Sequence, residues 1–305
     1  MAFAAAAITL ALAGQEPQAP VAVLPEVVAR GRVVTPQVAR SYVERVAGAP
    51  LMATSLATWQ TPICIETVNL QTDAALVFTS QIAARAAALG VETATRGCRP
   101  NVALIGTSDG RYTAGELVSA YPQAFTASSA ATQGDSRDLQ RFVESDAPVR
   151  WWTISAEFDT ATHAFAEVLW DFSSAPMRDT TGAVFFNETL VRAMVQTIVI
   201  VDATRTDALS AETLGDYLAM VVLAEINPDG DLQRWPSVLS VWREGGGVSG
   251  MTTWDKRYLC ALYEARVRQP GAEAPIRSRY QLGEIARRMA EAPGENGPAG
   301  ADGCF

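Results

Sequence analysis

Five residues after an apolar run, Gly106-Thr-Ser-Asp-Gly110, match the pattern G-x-S-x-G. That pattern places a serine nucleophile on the turn between a strand and a helix. Ser108 would need a base, and His163 is the one histidine in the chain. Asp135, Asp138, Asp146 or Asp159 could orient that imidazole, in the order Ser, Asp, His. Two features weigh against this chemistry. Asp109-Gly110-Arg111 reads as a turn rather than the first residues of a helix, and His163 follows too closely for an α/β-hydrolase. The bland reading is a turn at a strand end and a solvated loop histidine. Asn-Pro-Asp-Gly-Asp at 227–231 offers oxygen ligands but lacks the distal Glu of a twelve-residue calcium loop, so it reads as a turn. Gly-Gly-Gly-Val-Ser-Gly at 245–250 is not followed by Lys-Ser/Thr and is no phosphate loop. No cofactor is expected.

The four cysteines, Cys64, Cys98, Cys260 and Cys304, form no C-x-x-C pair, which removes redox and zinc-knuckle motifs. Three pairings are open. Cys64–Cys98 with Cys260–Cys304 is favoured, because the first would bracket a strand-helix unit and the second would pin a Gly/Pro-rich tail. Residues 3–13, FAAAAITLALA, form an apolar run of signal-peptide length ending in a small-x-small site, although no basic residue precedes it. An oxidising, exported compartment, periplasmic or secreted, accounts for both features. The net charge of −9 disfavours nucleic acid and anionic lipid as partners. No later segment has the length of apolar sequence needed to span a membrane.

These residues must be positioned by a chain of 305 residues, 49% apolar. After the signal peptide (1–13) comes a Pro-rich linker (14–35), a single α+β domain (36–292) and a flexible tail (293–305). Thr35-Pro36 opens a helix with N-cap and first-turn proline. A strand at 61–70, a helix at 72–89 ending at Gly90 and a strand at 101–108 form a βαβ unit. Residues 113–146 read as mostly helical with a polar break at 132–137. Residues 149–159 alternate like a strand, so Trp151 and Trp152 point to opposite faces. A short strand is expected at 166–172 and a long one at 190–204. Ser210 then caps a helix in which Leu214, Tyr217, Leu218, Val221 and Val222 form a core-facing stripe, with Asp216, Met220 and Leu223 on the adjacent face. Thr252 and Asp255 form a capping box for the next helix, and a last helix covers about 278–291.

The order βαβ, edge strand, strand, central helix is similar to the zincin metalloprotease fold. The segments PSVLSVW (236–242) and MTTWDKRYLCALYEARVRQPG (251–271) resemble the end of a domain-of-unknown-function family. The matching residues are Ser237, Thr252, Trp254, Asp255, Leu259, Leu262, Tyr263 and Gly271. That family comprises exported proteobacterial proteins with a zincin-like domain that lacks the zinc motif. Laid on H-E-x-x-H, the central helix offers Asp216, Tyr217, Leu218, Ala219 and Met220. Asp, Tyr and Met occupy the positions of the two ligands and the general base, so the helix cannot build a zinc-hydroxide site.

The resemblance implies a zincin-like core, a mixed twisted sheet around a helix at about 210–226. It implies a non-catalytic pseudo-peptidase or envelope scaffold that takes an extended peptide on the strand around 149–158. Trp151, Trp152, Asp216, Tyr217 and Met220 are expected to border that cleft. The alternatives are a serine hydrolase using Ser108 and His163, and an envelope protein that interacts through its linker.

Overall fold

The computed structural model describes residues 34–48, 55–94, 97–125, 131–132, 136–165, 189–242, 248–265, 274–291 and 304–305. The expected signal peptide, the linker up to residue 33, the strand at 166–172 and tail residues 293–303 lie outside them.

Helix α1 (Pro36–Val46) starts as the sequence dictates: Thr35 accepts the Val38 amide and Pro36 occupies the first turn. Strand β1 (Ile65–Val68), helix α2 (Thr72–Ala88) and strand β2 (Val102–Thr107) follow, with β1 and β2 parallel. Gly90, at φ +74°, ends the α2 region in the left-handed conformation. Helix α3 (Gly110–Ala120) begins directly after β2, capped by the Asp109 carboxylate on the Tyr112 amide. The expected turn at 109–111 is thus an N-cap and a first turn.

The stretch expected to be mostly helical is broken. A short 3-10 turn (Pro122–Ala124), strand β3 (Ala131–Thr132) and helix α4 (Ser136–Glu144) succeed one another. Strand β4 (Val149–Asp159), the two-residue β5 (Ala164–Phe165) and β6 (Leu190–Asp202) complete one mixed six-stranded sheet, ordered β1-β2-β6-β4-β3 with β5 on β4. β6 runs parallel to β2 and antiparallel to β4, and β3 and β5 are antiparallel to β4. The short helix α5 (Ala203–Thr206) leads into α6 (Ala211–Leu223), then α7 (Thr253–Glu264) and α8 (Ala274–Glu291). The fold is therefore α+β.

The two faces of the sheet carry separate apolar clusters. One gathers buried side chains of α1, α2, α6, α7 and α8 with Val102, Leu104, Val199 and Val201. The other packs Ala114 of α3 and Phe142 of α4 on Trp152, Ile154, Ile198 and Ile200. Between Leu214 and Leu223 helix α6 carries a single charge, Asp216, so it needs cover on almost every side. It obtains that cover: Thr213 through Leu223 are all buried. The disulfides are Cys64–Cys98 and Cys260–Cys304. Among the described residues no helix is long and apolar enough to cross a membrane.

Candidate functional site

Ser210 accepts the Thr213 amide at 3.2 Å and fixes the start of α6. From there the helix carries Asp216, Tyr217 and Met220 inward. Asp216 is buried and takes Nε and Nη2 of Arg85, from α2, each at 3.0 Å. Its second oxygen accepts the Met251 amide at 2.7 Å. The main chain can approach this closely because residue 250 is Gly: a Cβ there would lie 2.9 Å from the same carboxylate oxygen. Thr213 adds a hydrogen bond to the Ser249 carbonyl at 2.9 Å. The segment before α7 is thus bolted to α6 by two side chains, and the Asp216 carboxylate is spent on structure.

Tyr217 lies between Trp151 and Trp242, edge to face with both at centroid distances of 6.4 and 6.0 Å. Burial pushes its hydroxyl up to about 12. Met220 is fully buried in the larger cluster. The expected open flank of α6 is a covered one: Asp216, Tyr217 and Met220 are all buried. Arg85 of α2 and the Met251 amide cover Asp216, and Trp151 and Trp242 cover Tyr217, so the segments 236–242 and 248–265 close the side of α6 that α2 and β4 leave.

The residues carrying the family resemblance explain that layer. Asp255 is fully buried. It accepts the Val238 and Thr252 amides at 2.8 and 2.9 Å and the hydroxyls of Tyr42, Ser237 and Thr252 at 3.1, 2.5 and 2.8 Å. Burial raises its carboxyl pKa, and the Ser237 hydroxyl and the amides oppose that. Tyr263 donates to the Leu223 carbonyl at 2.8 Å, at the end of α6. Ser237, Thr252, Asp255 and Tyr263 are clamps.

A second buried network lies past the C-terminus of α6. Arg192 and Glu225 pair at 3.1 Å with both side chains almost fully buried. Ser155 of β4 donates to the Glu225 carboxylate and accepts from Arg192, the latter at 2.5 Å. The other Glu225 oxygen accepts the Ala57 amide at 3.0 Å. Sequence reading missed this triad because its members are 33 and 37 residues apart or more, and no local pattern joins them.

The structure does not bring Ser108 and His163 together. Thr107 is in register with Asp202, and Val149 with Val201, so Ser108 sits where β4 begins. His163 is exposed in the turn beyond Asp159, where β4 ends. β4 has 11 residues, so at ~3.3 Å per residue its ends are roughly 30 Å apart. No hydrogen-bonded serine–histidine pair can form across that length.

Trp151 and Trp152 do face opposite sides of the sheet. Trp152 packs on Phe125 and Phe142, whereas the Trp151 indole donates to the Ile226 carbonyl at 3.2 Å. Trp152 is buried and Trp151 half-buried, but the main chain between and around them is different. The Thr197 amide donates to Asn101 and the Asp202 amide donates to Pro148, both at 2.9 Å. Odd residues of this part of β6 therefore serve β2, and even ones serve β4. By the same register, Arg150, Trp152 and Ile154 bond β6, while the amides and carbonyls of Val149, Trp151 and Thr153 point away from it. β3 reaches only Ser155 and Ala156, and β5 only Phe158 and Asp159. Among the described residues nothing pairs with the outer edge of β4 from 149 to 153.

No family model, curated protein or solved structure matches this chain.

Proposed function

We propose that this protein is a non-catalytic, exported scaffold with a zincin-like core that holds an extended peptide along the outer edge of β4. The observation that carries the reading is the row of outward amides and carbonyls at Val149, Trp151 and Thr153. Such a row is the template for β-strand addition. In the zincin fold that the sequence resembles, the strand at this position aligns the substrate.

Further support comes from the order β1-β2-β6-β4, with β4 antiparallel to its neighbour and α6 following β6. The position of the first zinc ligand holds a carboxylate locked by Arg85 and the Met251 amide, which favours a scaffold over a peptidase. The two disulfides fit a periplasmic or secreted protein.

The test uses Thr153→Pro. The Thr153 amide takes no part in the ladder to β6, so proline there removes the outward donor and leaves that ladder intact, losing besides only the 3.4 Å hydroxyl contact with Thr197. The wild-type protein is expected to capture members of a random peptide library, and Thr153→Pro to lose them at unchanged stability. Capture that is equal in both proteins, or absent in the wild type, overturns the reading.

A further inference from the structure

The β4 edge is crossed by one ion pair whose partners come from opposite faces of the sheet. Arg141 belongs to α4, which packs on Trp152 through Phe142. Asp229 lies in the turn after Ile226, which packs in the cluster on the other face and receives the Trp151 indole. Yet Arg141 Nη1 and Asp229 Oδ2 are 2.5 Å apart. Side chains from the two layers can meet only by passing around a border of the sheet. Their neighbours fix the level: Arg150 donates to the Phe142 and Val143 carbonyls, and Glu225 reaches Ser155. The pair therefore lies outside β4 between 150 and 155, beside the outward groups of Trp151 and Thr153.

Resting on the edge-strand reading, we infer that Arg141–Asp229 is a strap over the β4 edge and that the segment displacing it carries an Arg or Lys side chain. A strand added at 149–153 must part the two side chains. The Asp229 side chain is 64% exposed and that of Arg141 21%, so water screens the pair from the Asp229 side and the carboxylate can swing away. Opening costs Arg141 little, because it keeps Asp138 on its own helix. Asp229 has Arg141 as its only cation among the described residues, and a basic side chain on the incoming strand restores its partner. The net charge of −9 draws basic peptides to the protein as well.

The experiment titrates wild type, Arg141→Ala, Asp229→Ala and Thr153→Pro with two fluorescent Val/Thr-rich peptides, one with a central Arg and one with Gln in its place. Wild type is expected to prefer the Arg peptide. Arg141→Ala should bind the Arg peptide roughly fivefold more tightly than wild type. Asp229→Ala should bind the Gln peptide more tightly than wild type and lose the preference for Arg. If both variants bind both peptides as wild type does while Thr153→Pro binds neither, the strap is refuted and the edge stands. If no protein binds either peptide, the edge reading itself falls. Dimerisation of Arg141→Ala in sedimentation, without peptide binding, would assign the edge to a second copy of the chain and overturn the inference.

Discussion

At the scale of single residues, polar side chains in this protein mostly fasten segments together. Asp216 illustrates the consequence. Its replacement by Ala leaves Arg85, whose side chain is 27% exposed, without its carboxylate and strips the buried Met251 amide of its acceptor. The expected loss is about 3 kcal/mol in denaturant unfolding, against less than ~0.5 kcal/mol for Glu212→Ala at the exposed start of the same helix. A loss at Asp216 as small as that at Glu212 would mean that the ion pair holds nothing. Ser108, exposed on its turn and roughly a strand's length from His163, is expected to take no label from a fluorophosphonate probe beyond that of a Ser108→Ala control.

At the scale of elements, the caps were readable and the cover was not. Thr35-Pro36, Ser210 and the Thr252/Asp255 box mark true helix starts, because capping is settled within four residues of chain. The two-residue strands β3 and β5 carry too little sequence to show a period, and what pairs them is β4, far along the chain. Likewise the stripe on α6 was legible, but the burial of Asp216 depends on Arg85, 131 positions earlier, and on Met251, 35 positions later. Helix α8 yields a pH prediction. Hydrogen bonds from Arg287, with Arg288 beside it, pull the Glu284 carboxyl down from 4.5 to about 2. A depressed folded-state pKa gives stability that is complete above pH 4.5 and lost as pH falls toward 2. Carboxyl titration by NMR should find a midpoint near 2, and Arg287→Ala should move it upward. The effect on stability is small, because the group is partly exposed and screened.

At the scale of the whole molecule, the disulfides act on the unfolded chain. They close segments with sequence separations of 34 and 44, and each stabilises the fold by about 4 kcal/mol in the chain-entropy account. Cys260→Ser with Cys304→Ser should lower the unfolding free energy by that order in calorimetry or denaturant titration. Cysteine count and spacing made this pairing legible. The candidate site was legible only in part: the strand at 149–159 and the opposed tryptophans were readable, but which edge of β4 stays open depends on the register of three other strands.

The most direct test of that edge is amide hydrogen exchange along β4, read by NMR in the free protein and with a captured peptide. Trp152, bonded to β6, should exchange slowly in both. Trp151 and Thr153 should exchange fast in the free protein and become protected when peptide binds. Protection of Trp151 and Thr153 equal to that of Trp152 in the free protein would mean that the edge is already paired and would contradict the account.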